Sequence, residues 1–180
     1  DKGKMVELVT RYGAIIKFYE VKMPSMPIDY ENLQRFTIAT LFRLKLPEIL
    51  MDVKRVIYLD ADLVVNLDIE QLWQVNLCGK SIAGCVDTAT DIRKYLCEIG
   101  LIEMKNYINA GVLVLDLQSI REKMNLLQKS IDFFIQYPKT NYYDQDALNY
   151  IFKGDILYLP GEYNTSSVWS RRMDEAEKAK

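Results

Sequence analysis

The sequence feature that most constrains the fold is the apolar run over residues 55–59, which stops at two acids, Asp60 and Asp62. Its Val, Ile, Tyr and Leu residues follow one another without alternation, which is typical of a strand covered on both faces, as parallel strands are in α/β proteins. Ligands of such sheets bind beyond the carboxyl ends of the strands. Because side chains alternate along a strand, both carboxylates would point to the same side. The run therefore predicts a functional site where this strand ends.

Two carboxylates without a nearby His or Cys favour a hard cation. Mg²⁺ and Mn²⁺ are usually held by one or two carboxylates together with the phosphates of a substrate, so the pair predicts a metal-bound diphosphate. Ala61, between the two acids, leaves room for such a ligand. The structural alternative is that Asp60 and Asp62 are turn and capping residues on a solvated loop, where Asp is common. The pair alone leaves both interpretations open.

Composition excludes several classes of protein. A chain of 180 residues and 21.0 kDa predicts one domain, which we place at residues 1–170, followed by a charged tail at 171–180. The formal charge of -2 and the absence of a basic, aromatic stretch argue against nucleic acid as a partner. The three cysteines form no Cys-x-x-Cys motif, which argues against a disulfide framework and against a zinc site. They favour a protein of the reducing cytoplasm. No apolar run approaches the roughly 20 residues of a membrane span, so we expect at most peripheral association with the inner membrane face.

Strand and helix patterns alternate along the chain. We expect strands over residues 14–21, 55–59, 81–87, 112–117 and 156–159. We expect helices ending at Gly13 and over residues 33–46, 68–73, 92–99, 119–124, 126–137 and 144–152. Asp68 predicts an N-cap with Gln71 as its capping-box partner, and Asp144, considered alone, also predicts an N-cap. The alternation predicts a three-layer α/β fold with a mostly parallel sheet.

Polar residues flank the other predicted strands as well. Asp87 ends the strand over 81–87, as Asp60 ends the earlier one, and Asn109-Ala110-Gly111 precedes the strand over 112–117. Small residues there let the backbone approach a neighbour or a ligand closely. We therefore expect the carboxyl edge of the sheet to collect Asp60, Asp62, Asp87 and Asn109.

Five blocks of the sequence, in this order, resemble glycosyltransferase family 8. They are FRLKL at 42–46, YLDAD at 58–62, Asp87, NAGV at 109–112 and DQDALN at 144–149. That family includes bacterial lipopolysaccharide galactosyl- and glucosyltransferases and the glycogenins, and the resemblance runs over residues 35–164. It implies a GT-A fold, a three-layer α/β/α arrangement whose sheet is mostly parallel but mixed. It also implies a retaining transferase that moves a hexose from a UDP-sugar to a saccharide or lipid-linked saccharide acceptor, with Mn²⁺ (or Mg²⁺) as its metal.

The resemblance also implies a role for each matching residue. It assigns metal binding to Asp60 and Asp62. It assigns donor binding to Arg43, Asp60, Ala61, Asp62, Asp87, Asn109 and Ala110. It assigns the positions beside the anomeric carbon, where catalysis occurs, to Asp144 and Gln145. These roles agree with the chemistry, because a Lewis-acidic metal stabilises the departing diphosphate and carboxylate or amide oxygens stabilise a developing oxocarbenium ion.

Two departures from the family pattern stand out. The family's first strand would precede Asp1, and a His-x-x-Gly segment that supplies a third metal ligand would follow the tail, while this chain contains no His. We therefore expect an internal portion of a longer enzyme, incomplete at both ends, with weakened metal binding. Two other functions stay open: a non-catalytic nucleotide-sugar binding or regulatory module of the same fold, and a Mg²⁺-dependent phosphotransferase of the doubly wound type.

Overall fold

A four-stranded mixed sheet forms the centre of the computed structural model, which describes residues 2–28, 37–88, 92–101 and 106–165. The strands are β1 (Arg55–Leu59), β2 (Ile82–Val86), β3 (Ile108–Asp116) and β4 (Ile156–Leu159), in the spatial order β1-β3-β2-β4. β3 runs antiparallel to both β1 and β2, whereas β2 and β4 are parallel. The α/β class and the mixed, mostly parallel sheet are confirmed, because β1, β2 and β4 run in one direction and β3 runs in the other. The reversal at β3 was not predicted. An apolar run indicates a strand buried on both faces, and it carries no information about strand direction.

Helices connect and cover the strands. The α-helices are α1 (Lys2–Arg11), α2 (Leu46–Ile49), α3 (Ile69–Trp73), α4 (Ile92–Glu98), α5 (Leu117–Lys123), α6 (Leu126–Gln136) and α7 (Tyr143–Ile151), with 3-10 helices at Ile38–Lys45 and Gly161–Tyr163. Asp68 caps α3, as predicted, by accepting a hydrogen bond from the Glu70 N–H at 2.9 Å. Across the described ranges, no helix combines the length and the apolar character that crossing a lipid bilayer requires.

Two predicted elements differ from the structure at the start of the chain. Residues 14–21 form no strand, and Ile15 is 88% exposed there. A strand needs a neighbour to satisfy its backbone groups, which the sequence pattern of one segment does not reveal. The helix predicted over 33–46 is a 3-10 helix from Ile38, and its first residues, like the tail at 171–180, lie outside the described residues.

The sheet is covered on both faces, because alternate residues of β3 enter two separate apolar clusters. Leu113 and Leu115 pack into the larger cluster with the helices α5 to α7, while Val112 and Val114 pack into the smaller one with α3. This alternation is the ordinary consequence of the two-residue period of a strand. The helix-sheet-helix layering expected from the sequence therefore holds for the described residues.

The direction of β3 positions the site. Because β3 is antiparallel to its neighbours, its amino end lies beside the carboxyl ends of β1 and β2, where Leu59 pairs with Val112 and Val86 with Ile108. Asn109 therefore lies at the predicted edge, although it stands near the start of its strand and not at the end.

Candidate active site

The buried guanidinium of Arg43 is the centre of this edge. Arg43 is 6% exposed and forms ion pairs with Asp60 (Nη2 to Oδ1, 2.8 Å) and with Asp144 (Nε to Oδ2, 2.9 Å). Its third nitrogen donates a hydrogen bond to the carbonyl of Ala110, and its Cζ lies 4.3 Å from the centre of the Tyr58 ring. A buried charge is tolerated when it is paired and hydrogen-bonded in this way. Arg43 therefore links β1, β3 and α7 at one point.

Asp60 is fixed from several directions. Its Oδ1 accepts hydrogen bonds from Arg43 and from the Tyr58 hydroxyl, each at 2.8 Å, and its N–H donates to the Gly111 carbonyl at 2.9 Å. A Cβ at position 111 would stand 3.2 Å from Asp60 Oδ2 and 3.0 Å from Asn109 Oδ1. Glycine at position 111 therefore lets both polar side chains approach the backbone of β3, as the small residues in this segment predict.

A chain of side-chain hydrogen bonds crosses the edge from α7 to the loop after β4. Gln145 accepts from the Ala110 N–H (2.9 Å) and donates to Asp87 Oδ2 (3.0 Å). Asn109 donates to the same Asp87 oxygen at 3.3 Å, and its own oxygen accepts from Asn164 at 2.8 Å. The polar side chains at this edge therefore hold one another in place.

Asp144 is not the N-cap that its sequence position predicts. The N-cap of α7 is Tyr142, and Asp144 lies inside the first turn with 6% of its surface exposed. Burial raises the pKa of Asp144 to about 7, and the Arg43 guanidinium opposes that rise. The long-range ion pair to Arg43 thus replaces the local capping role, and the carboxyl group changes charge near neutral pH.

Tyr58 and Asn164 are functional-site candidates that the sequence did not single out. Burial raises the pKa of the Tyr58 phenol, so the hydroxyl stays protonated and donates to Asp60. A Tyr within an otherwise aliphatic strand was the available signal, since a half-buried hydroxyl usually has a polar partner nearby. Asn164 gives no such signal, because its contact with Asn109 spans 55 residues of sequence.

Two cavities of about 770 Å³ each open at this edge. What we call the arginine-side cavity is lined by Thr37, Ala39, Thr40, Arg43, Tyr58, Asp60, Ala61, Asp62, Asp87, Asn109, Ala110, Gly111, Tyr142, Asp144 and Gln145. It thus brings together all nine site residues predicted from the sequence. The second cavity lies toward the loop over residues 63–69 and Asn164, and Asp60 and Asp62 border both cavities. Cavities of this volume suit ligands of nucleotide-sugar size.

The acidic pair offers oxygen ligands for a divalent cation. Asp62 is exposed, and Asp60 Oδ2 lies beside Gly111, whereas Asp60 Oδ1 is taken up by its two donors. Within the described residues, no group of three or more His, Cys, Asp and Glu side chains is arranged to hold a metal. Two carboxylates fit Mg²⁺ or Mn²⁺ when substrate phosphates supply further ligands. The residues present therefore fit a cation that binds together with a diphosphate.

Comparison with known proteins assigns the chain to a family. The model of glycosyl transferase family 8 matches residues 1–180. The chain is 35% identical to the lipopolysaccharide 1,2-glucosyltransferase of Escherichia coli (strain K12) over 172 residues, which cover 90% of the chain and 48% of that protein. It is 32% identical to a putative glycosyltransferase of Haemophilus influenzae over 156 residues, which cover 81% of the chain and 47% of that protein. The chain thus spans about half the length of these curated relatives.

The fold agrees with that assignment. The structure superimposes on the crystal structure of galactosyltransferase LgtC, in complex with donor and acceptor sugar analogues, with a TM-score of 0.65 and 29% identity. The match covers 74% of this chain and 51% of LgtC. This protein therefore belongs to glycosyltransferase family 8 and has the α/β fold, with a mixed sheet, of the GT-A type.

Proposed function

We propose that this chain forms the donor-binding and catalytic part of a hexosyltransferase. The enzyme takes a hexose from a UDP-sugar and transfers it to a saccharide or lipid-linked saccharide acceptor with retention of anomeric configuration. The observation that carries the proposal is the convergence of nine polar or small residues on the arginine-side cavity around the buried Arg43. The names of relatives such as the lipopolysaccharide 1,2-glucosyltransferase support a hexose as the transferred group.

The charges in this cavity support a role for a divalent cation. One guanidinium, that of Arg43, faces four carboxyl groups, those of Asp60, Asp62, Asp87 and Asp144. Such an excess of negative charge repels a diphosphate unless a cation accompanies it. Asp60 and Asp62 would hold Mn²⁺ or Mg²⁺, which as a Lewis acid would stabilise the charge that develops on the leaving diphosphate.

Arg43 itself orders the cavity. Its two ion pairs and its bond to the Ala110 carbonyl use all three guanidinium nitrogens, so its position is fixed before any ligand binds. A donor that is fixed in advance costs no reorganisation when charge develops during the reaction. We infer that Arg43 orients Asp60 and Asp144 and lends positive potential to the diphosphate side of the cavity.

Gln145 and Asp144 supply the oxygens nearest to the reacting carbon in this proposal. Gln145 is held at both ends of its amide, by the Ala110 N–H and by Asp87, so its oxygen has a fixed direction and a remaining lone pair. Breaking the bond between sugar and phosphate generates positive character at the anomeric carbon, which oxygen lone pairs stabilise. Donation to Asp87 also links Gln145 to a carboxylate that is able to accept hydrogen bonds from sugar hydroxyls.

Thermal melting of the 180-residue chain tests donor binding directly. UDP at about 100 times its dissociation constant stabilises by roughly 2.7 kcal/mol, which raises the melting midpoint by roughly 5 to 10 °C in a domain of this size. We expect this shift with Mn²⁺ and its loss in chelator. The matched control is Asp62→Asn, which removes one proposed metal ligand. Because Asp62 is exposed, this change leaves the Arg43 network intact.

Turnover separates the enzyme from the alternatives. Release of UDP from UDP-glucose or UDP-galactose in the presence of Mn²⁺ and a saccharide acceptor is expected from the transferase. Binding of UDP without any release favours the non-catalytic module. Burst formation of a phosphoenzyme would favour the phosphotransferase, and the absence of any UDP-dependent shift contradicts the proposal as a whole.

A further inference from the structure

A second carboxylate of α7, that of Asp146, is completely buried beneath the cavity. Its Oδ2 accepts hydrogen bonds from the Tyr95 hydroxyl and from the Tyr142 N–H (3.1 Å), and its Oδ1 accepts from the Tyr107 hydroxyl. Asp146 and Tyr107 are 0% and 1% exposed. We call Asp146 and these three partners the Asp146 clamp. The roles proposed above leave its carboxyl group unused.

The clamp requires a carboxylate rather than an amide. Three donors converge on the two oxygens of Asp146, and an Asn in its place would turn an NH₂ group toward a donor. Tyr142 is the N-cap of α7, and its N–H has no partner within the helix, so Asp146 satisfies a group that the helix start leaves open. The Tyr95 hydroxyl in turn accepts from the Asn141 N–H at 2.8 Å, which ties the preceding loop to the same point.

The clamp is joined directly to the residues that face the cavity. Asp144 and Gln145 immediately precede Asp146 in the first turn of α7, so any rotation or slide of that turn moves all three. Tyr107 binds the clamp through its hydroxyl, while its carbonyl accepts from the Asp87 N–H at 2.8 Å. One tyrosine thus connects the carboxylate under α7 with the residue that Gln145 contacts across the cavity.

A second anchor lies one turn further along α7. The Asn149 side chain donates to the carbonyls of Ile108 and Gln145 and accepts from the Ile108 N–H, at 2.7 to 2.9 Å. It fixes the distance between α7 and the start of β3, but it lies beyond the first turn. Within the first turn itself, Asp146 supplies the anchor on the buried side, while Asp144 is paired with Arg43 on the cavity side.

We propose that Asp146 is a positioning residue, which through Tyr95, Tyr107 and the Tyr142 N–H fixes the first turn of α7 so that Asp144 and Gln145 face the donor. This inference rests on the proposed function. Asp146 itself lies behind the cavity wall and touches no substrate.

Steady-state kinetics of three variants test the proposal. In Asp146→Asn, we expect kcat for a UDP-hexose to fall about 100-fold, the loss that accompanies a misplacement of about 1 Å. In Tyr107→Phe, which keeps the carboxylate, we expect a fall of about tenfold. KM for the donor and the affinity for UDP should change less than about threefold in both, because Asp60 and Asp62 are untouched.

The matched control is Asp155→Asn at the opposite edge of the sheet. Asp155 also accepts several hydrogen bonds, from the Ser81 N–H and hydroxyl and from Lys123, but it lies far from the cavity. We expect Asp155→Asn to lower the melting temperature and to leave kcat unchanged. An equal fall of kcat in Asp146→Asn and Asp155→Asn would mean a general structural effect and would overturn the proposal. Full activity of Tyr107→Phe beside an inactive Asp146→Asn would show that Asp146 acts on the substrate itself, which also overturns it.

Amide hydrogen exchange tests the clamp without any turnover. The Ala110 N–H is bonded to Gln145, so its exchange reports whether α7 holds that side chain in place. In Asp146→Asn, we expect exchange at Ala110 to rise about tenfold relative to amides in the middle of β3, with no such change in Asp155→Asn. Unchanged exchange at Ala110 contradicts the positioning role. Faster exchange in a chain that turns over no UDP-sugar would support the clamp and reject the proposed function.

Discussion

Each edge of the sheet carries carboxylates paired with a base, and the two edges differ in the balance between negative and positive charge. At the opposite edge, Lys123 and Ser81 both bind Asp155, so one cation meets one carboxylate. At the cavity edge, Arg43 serves two carboxylates, and Asp62 and Asp87 face the same cavity. The charges at the opposite edge balance one another, whereas the excess of carboxylates beside the open cavity favours the binding of a cation.

Removing the base from each cluster should give the largest contrast. Arg43→Met leaves Asp60 and Asp144 without their cation, and breaking a buried pair costs about 3 to 5 kcal/mol. Lys123→Met removes a base that is 43% exposed, for which about 0 to 1 kcal/mol is expected. Urea unfolding of both variants at pH 7 measures the difference. Similar losses would mean that the two clusters contribute alike to stability.

Removing a neutral hydrogen-bonding side chain separates turnover from binding. Gln145→Ala should lower kcat about 100-fold while UDP binding is retained, because in the proposed function the amide acts only as charge develops at the sugar. Ser119→Ala, which removes a hydroxyl 3.0 Å from that of Ser81, should change neither quantity. Initial rates and UDP titrations provide the measurements. Equal losses of turnover and UDP affinity in Gln145→Ala would show that Gln145 serves binding alone.

Added bulk at two glycines compares a crowded position with an open one. In Gly111→Ala the new methyl group presses on Asn109 and on Asp60 Oδ2, and we expect Mn²⁺-dependent UDP affinity to fall about tenfold. In Gly161→Ala the new methyl group meets nothing within 4 Å, so affinity should stay the same. Titration with UDP in Mn²⁺ decides, and an unchanged affinity in Gly111→Ala would argue against Asp60 as a ligand.

The stability contributed by the two edges should also respond to pH with opposite sign. Burial raises the pKa of Asp144 to about 7, so the folded chain keeps a proton that the unfolded chain releases near pH 3.8. The stability that Asp144 contributes is therefore present below pH 3.8 and is lost as pH rises toward 7. The hydrogen bonds from Ser81 and Lys123 outweigh burial and lower the pKa of Asp155, so its contribution is present above the ordinary pKa and is lost as pH falls through the lowered one.

Unfolding free energies of Asp144→Asn and Asp155→Asn between pH 3 and 8, measured in chelator, test these signs. Asp144→Asn should flatten the decline of the unfolding free energy between about pH 4 and 7, while Asp155→Asn should weaken the loss of stability in acid. The same pH dependence in both variants and in the parent chain would contradict the assignment.

The sequence predicts the cavity edge well because its signals are local. A strand that stops at Asp60 and a strand that stops at Asp87 are visible in short windows, and all nine residues predicted for the site line one cavity. Their roles in binding and catalysis stay predictions. Contacts between distant segments left no such signal. The network around Asp146 joins α7 with α4 and with Tyr107, the residue before β3, and the partner of Asp144 lies 101 positions away in Arg43.

The direction of a strand and the identity of its neighbours are likewise not visible in a short stretch of sequence. The antiparallel course of β3 and the absence of a strand at residues 14–21 both depend on which segments meet in space. A periodic pattern specifies which faces of a segment are apolar, and it does not specify the partner. This is why the edge of the sheet was predicted correctly while the reversed direction of β3 was not.

The position of Ala110 has a consequence for how this cavity can vary. Its carbonyl accepts from Arg43 and its N–H donates to Gln145, so the main chain of a single residue sets the separation between the guanidinium and the amide. Because both bonds are made by the main chain, a substitution at position 110 other than to proline removes neither the donor nor the acceptor, although the buried side chain leaves little room for a larger one. The two polar bonds around the cavity therefore depend on the main chain at this position and not on which side chain stands there.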